Sequence, residues 1–256
     1  MGISYKLPRR DFLAITTSLG GVTLLCWVYL FWMARDMSTP EYLTFAALQM
    51  EQWSAGYFWM MFLMWAIMMV GMMVPSVAPM ILIYSAVVRK SEKQGTPVAP
   101  TGLFTIGYLM IWILFSLLAT IATWGLNQAS LLSPMLVANS PWLGAALLVG
   151  AGIYQLLPLK DACLQHCRSP FHFISSHFSP GPFGAIKMGL SHGIYCLGCC
   201  WVLMLLLFVG GVMNLVWIGA ITLFVFLEKV LPMGNTGGRW MGMVMITVGG
   251  TILLLQ

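Results

Sequence analysis

Long apolar runs constrain this chain more than any other feature. A helix that crosses about 30 Å of hydrocarbon needs about twenty mostly apolar residues. Seven runs approach or exceed that length, at roughly 12–33, 57–88, 102–124, 142–158, 186–209, 213–228 and 240–256. Charged residues make up 7% of the chain, against about 25% in soluble domains, so no water-facing surface of ordinary size is available. The expected fold is all-α: one polytopic transmembrane helix bundle over residues 1–256. The fourth, sixth and seventh runs are short, so the expectation is six or seven spans, with six plus a re-entrant segment left open. The second run is too long for one straight span, and Pro75 and Pro79 inside it predict a kink.

Charge placement predicts an orientation. With seven spans and a cytoplasmic N-terminus, eleven of the twelve Lys and Arg residues fall on the inside and Arg35 alone falls outside. The first outer segment carries Asp36, Glu41 and Glu51, and the second, about 125–141, has no charge. This is the pattern of a multi-pass membrane protein with its basic segments on the cytoplasmic side, in contact with lipid. The net charge of +5 therefore reports topology and gives no reason to expect a nucleic-acid partner. Arg9-Arg10-Asp11-Phe12-Leu13 looks like a twin-arginine export signal, but Trp27, Tyr29 and Trp32 form an interfacial belt, which favours an uncleaved first helix.

Two clusters of soft ligands stand out in this apolar background. Cys163, His166 and Cys167 lie in the largest inner segment, 159–185, and Cys196, Cys199 and Cys200 lie inside the fifth run. Both sets have i, i+3, i+4 spacing, which shares one helix face, and His192 is one turn before Cys196 on that face. Thiolate and imidazole suit copper, zinc or iron: four thiolates fit zinc or an iron–sulfur cluster, two or three fit Cu(I). The inner segment is expected to fold over the fifth helix and complete one site. A disulfide or redox thiol pair, and simple packing of cysteine as a small hydrophobe, remain open beside metal binding. His172 and His177 read as solvated loop histidines.

Met60, Met64, Met68 and Met72 form an i, i+4 ladder along the second run. Thioethers are soft neutral ligands for Cu(I), so the ladder is a candidate metal path; packing of a flexible apolar filler is the plainer reading. Gln155, Asn214 and Glu228 are polar residues at run ends and are candidates to support the metal ligands from behind; for Gln155 a hydrogen bond joining two helices is the alternative. Glu228 and Lys229 are expected to snorkel to the interface. No phosphate loop, nucleophile elbow or HExxH is present, which excludes the familiar ATPase, serine-hydrolase and zinc-protease sites.

The stretches Met68–Ser76, Tyr154–Pro170 and Gly189–Trp201, followed by Met213-Asn214-Leu215 and Glu228-Lys229, resemble the DUF2182 family, described as metal-binding integral membrane proteins of bacteria. The resemblance covers roughly residues 10–255. It implies that Gln155, Lys160, Cys163, Cys167, His192, Cys196, Cys199, Cys200, Asn214 and Glu228 belong to one motif set. His166 stands where that pattern has a plain residue, which sets it apart from the other ligands.

The expected function is binding of a soft transition metal, copper foremost with zinc or iron as alternatives, for handling or delivery to a partner metalloenzyme or membrane complex. Two other readings are kept: a membrane oxidoreductase or electron-transfer subunit using the thiols or a bound metal, and a structural subunit stapled by zinc or a disulfide.

Overall fold

The structure, a computed structural model, describes residues 7–37, 39–41, 48, 53–93, 99–231 and 234–255. Lys6, Glu51 and Pro97 lie outside these residues. Ten helices account for nearly all of the described chain: α1 (Arg9–Met37), α2 (Ala55–Lys93), α3 (Thr101–Gln128), α4 (Pro141–Leu156), α5 (Pro158–Arg168), α6 (Pro170–His177), α7 (Gly181–Leu205), α8 (Leu207–Gly210), α9 (Leu215–Val230) and α10 (Gly234–Leu254). Among the described residues no strand forms; a single isolated bridge joins Leu132 and Ala138.

Five helices are long and apolar enough to cross a membrane, namely α1, α2, α3, α7 with α8, and α10. A sixth crossing arises if α4 and α5, which meet at a 65° bend, count as one broken span. The sixth apolar run is α9, whose 16 residues reach about 24 Å, short of the hydrocarbon thickness.

Small residues decide how closely the helices approach. A Cβ on Gly107 of α3 would collide with the Ile186 carbonyl, and one on Gly189 of α7 would collide with the Phe104 carbonyl. A Cβ on Gly193 would lie 2.8 Å from Ile111. The α3–α7 contact is thus a backbone-to-backbone crossing of the kind small residues permit inside membranes. It brings Tyr108 of α3 against the cysteine face of α7. Gly152 of α4 and Gly242 of α10 do the same for the second tight pair, each blocked by the other's carbonyl at 2.5 and 2.8 Å from a Cβ. Gly189→Val forces α3 and α7 apart; it is expected to cost about 1–3 kcal/mol, read as a lower thermal midpoint in detergent.

Pro75 and Pro79 both lie within the uninterrupted helix α2. Proline at 75 cannot donate to the carbonyl four residues back, that of Gly71. The Trp27 indole of α1 donates to that carbonyl instead, at 3.3 Å. A freed carbonyl at membrane depth needs such a partner. At the other end of the α1–α2 pair, Arg89 grips Asp11 with two donors, at 2.7 and 3.0 Å.

The 159–185 segment, expected as a loop, is largely helical: it contains most of α5 and all of α6. Pro158 and Pro170 each sit in the first turn of these helices, where a missing N–H is no loss. Leu157, extended at φ −75° and ψ 140°, makes the bend between α4 and α5. That bend lays α5 across α7.

Candidate metal centre

The two cysteine clusters meet. On α5 the face of Lys160, Cys163, Leu164 and Cys167 turns toward the bundle, with Lys160 and Leu164 each 1% exposed. On α7 the face of His192, Cys196, Cys199 and Cys200 is buried. Cys167 reaches hydrogen-bonding contact with Cys196 and Cys199, and Cys200 makes the same contacts. Cys199 and Cys200 also point their thiols at the Cys196 carbonyl, at 3.1 and 3.0 Å. Cys163 stands beside them, where a Cβ on Gly198 would lie 2.8 Å from its Sγ. All six cysteines, Cys26 included, are free thiols.

His192 is buried among Phe104, Tyr108 and Phe173, with ring centroids 6.0, 5.9 and 5.1 Å away. Its Nδ1 is buried without a hydrogen-bond partner. An orphaned imidazole nitrogen within an apolar shell is costly unless something fills it. Among the described residues, no three His, Cys, Asp or Glu side chains stand in an arrangement that would hold a metal ion. The thiols are gathered, but they do not form a closed three- or four-ligand cage.

The cluster is walled by residues that the cysteine pattern did not point to. The Lys229 ammonium lies 2.9 Å from Cys196 Sγ and 3.3 Å from Ser76 Oγ. The Tyr108 hydroxyl lies 3.1 Å from Cys196 Sγ and 3.3 Å from the Met73 carbonyl. The Tyr154 hydroxyl donates to the Gly198 carbonyl. Lys229 and Glu228 are 9% and 4% exposed, so they do not snorkel. Their position at the end of α9 puts them in the gap between α5 and α7, where each finds an inward partner. A lysine after a long apolar run was a visible signal for Lys229; nothing in the sequence singled out Tyr108.

Glu228 belongs to a neighbouring network centred on Lys160. The Lys160 ammonium donates both to Glu228 and to Gln155 Oε1. Gln155 Nε2 is left without a partner. The network spans the α4–α5 bend and α9, and Gly238 of α10 closes over it: a Cβ there would lie 3.2 Å from Lys160 Nζ. Gln155 and Glu228 therefore hold Lys160, with no direct contact to the thiols.

Asn214 lies elsewhere. It caps α9, accepting from the Trp217 N–H at 3.2 Å and donating to the Gly210 carbonyl at 3.1 Å. Glu228 is fourteen positions further along the helix, about 21 Å at 1.5 Å per residue. His166 turns away from the thiols and stacks on Tyr195 at 4.1 Å. His172 is exposed, and His177 stacks on Phe173 at 4.7 Å.

Met64, Met68 and Met72 are fully buried, and Met60, near the start of α2, is half-buried. Met61, Met69 and Met73 are buried as well, so α2 presents two adjoining rows of thioethers to the interior. The rows end at Met73 and Ser76, which the contacts above place against Tyr108 and Lys229.

The described residues form an all-helical protein with five helices long and apolar enough to cross a membrane and a group of thiols gathered from α5 and α7. A family described as a copper chaperone, PpoB2, matches residues 62–252, and the chain belongs to that family. The matched region contains the whole thiol cluster, both lysines and all but one methionine of the ladder. No curated protein and no solved structure matches this chain.

Proposed function

We propose that this protein takes up Cu(I) in the membrane and hands it to a partner metalloprotein, with Cys167, Cys196, Cys199 and Cys200 as the receiving thiols. Copper is cargo here. The observation that carries this reading is the convergence of these four thiols, from helices that the 65° bend brings together, in a family described as a copper chaperone. Soft thiolates select Cu(I) over harder ions. A linear Cu(I) site needs only two sulfurs, so a gathered but uncaged cluster suits an ion that must leave again. His192, with its unpartnered Nδ1, and Cys163 stand ready as further donors. The charge asymmetry supports a cytoplasmic N-terminus, and the DUF2182 resemblance supports the bacterial inner membrane as the location of a single helical domain. The DUF2182 resemblance and the copper-chaperone family rest on overlapping stretches of the chain.

The methionine rows supply the approach. Neutral thioethers bind weakly and exchange quickly, while thiolates bind tightly, so the gradient along α2 runs toward Cys196. Replacing Met64 and Met68 by leucine nearly conserves volume and should keep the fold. Cellular copper loading is expected to fall severalfold while the affinity of the purified thiol site is unchanged. Unchanged loading would reduce the rows to packing.

Elemental analysis of the full chain, purified in detergent without a chelating tag, tests the reading directly. About one copper per chain supports it. Zinc alone would mark a structural staple, and oxidised thiols without metal would mark a redox protein; either result overturns copper handling.

A further inference from the structure

Three aromatic side chains pack together where α5, α6 and α7 meet: His166, His177 and Tyr195. The two imidazoles have centroids 6.4 Å apart; His166 lies 4.1 Å from Tyr195 and His177 lies 6.0 Å from it. Both are partly exposed. We propose that His166 and His177 form a second, exchangeable site for Cu(I), at the partly exposed junction of α5, α6 and α7.

Tautomer and ring position carry this. His166 Nδ1 lies 2.9 Å from the Ala162 carbonyl, which only accepts, so this nitrogen carries the proton. His177 Nδ1 lies 2.9 Å from Ser176 Oγ. The single Ser176 hydroxyl proton is already given to the His172 carbonyl at 2.7 Å, so His177 Nδ1 is the donor here too. Both rings therefore keep Nε2 as the lone-pair nitrogen. A second nitrogen tied to a local acceptor is the arrangement that orients metal-binding imidazoles and raises their basicity. Stacking fixes both rings further: His166 lies parallel to Tyr195 within 4°, and His177 lies parallel to Phe173 within 13°.

The spacing also fits. With a metal–nitrogen bond of about 2.0–2.1 Å, two imidazoles facing each other across one ion have centroids about 6 Å apart. Two protein ligands leave the remaining positions open to a donor from outside, which suits exchange. The site adjoins the deeper one through the chain itself, because His166 precedes Cys167 and Tyr195 precedes Cys196. Phe173, the ring under His177, also packs edge-on against His192. The histidine site is separate from the thiol proposal; only its role as a way station depends on copper delivery.

Competition of the full chain against a chromophoric Cu(I) chelator, under reductant, tests it. The wild type is expected to show a tight copper and a second, at least tenfold weaker one. His166→Phe and His177→Phe keep the stacked rings and should each remove only the weaker copper. Cys196→Ser with Cys199→Ser should remove only the tight one, and X-ray absorption on that variant should then show a nitrogen shell without sulfur. Loss of the weaker copper in the histidine variants, with no tight copper in the wild type, would support the histidine site and reject the thiol one. Weak binding unchanged by either histidine substitution, or a sulfur shell in the cysteine variant, would overturn it.

Discussion

Purified Cys196→Ser/Cys199→Ser protein is expected to hold essentially no tightly bound copper, a drop from about one per chain to near zero. Serine is close to cysteine in size, and its hydroxyl can donate to the Cys196-position carbonyl as the Cys199 thiol does at 3.1 Å. The Lys229 ammonium, 2.9 Å from Cys196 Sγ, finds an acceptor in a serine oxygen as well. The fold should therefore survive, which circular dichroism and a detergent melt would check. What is lost is the soft donor. A hydroxyl is a hard, protonated ligand with little affinity for Cu(I), and the substitution leaves Cys167 and Cys200 without their shared sulfur partners. A variant that keeps full copper occupancy would place the site elsewhere in the chain. The single change Cys200→Ser should have a smaller effect, since Cys167, Cys196 and Cys199 remain in contact with one another.

The thiols were legible before the structure because helical periodicity is a strong signal. Cys196, Cys199 and Cys200 share a face by spacing alone, and His192 falls on the same face one turn earlier. That Cys167 joins them depends on the bend at Leu157 and Pro158, which a proline suggests but whose direction only packing sets. Charged residues were harder to read. Glu228 and Lys229 end an apolar run, and such residues usually reach for water. Here a short helix, α9, stops inside the protein, so both side chains are buried and each must find a partner. Asn214 has a local reason to be polar at a run end: it caps α9, as asparagine commonly does. His166 has the same spacing to Cys163 and Cys167 that Cys199 has to Cys196 and Cys200, yet its ring stacks on Tyr195, a contact that periodicity does not reveal.

The Lys160–Glu228 pair is the second place where a large effect is expected. Both side chains are nearly inaccessible, at 2% and 4% exposure. Breaking a buried pair by removing one partner leaves an uncompensated charge and costs about 3–5 kcal/mol, whereas replacing both partners by apolar residues of similar volume is often neutral. Lys160→Met is therefore expected to lower the thermal midpoint sharply, and Glu228→Met to do the same. The double variant should recover most of the loss, and this non-additivity is the signature that the two act as a unit. The effect should extend to copper. Lys160 is seven residues before Cys167 on the same short helix, and Glu228 is next to Lys229, which touches Cys196. The pair thus clasps α5 to α9 at the point where α9 also meets α7. Releasing it frees α5 to lift away from α7, taking Cys167 from Cys196 and Cys199. In Lys160→Met, copper affinity should fall along with stability; in the double variant, stability should return further than affinity, because apolar contact restores packing but not the register of the clasp. Equal recovery of both would show that the ion pair contributes only to folding, and a Lys160→Met protein as stable as the wild type would show that α5 is held in place by its other contacts.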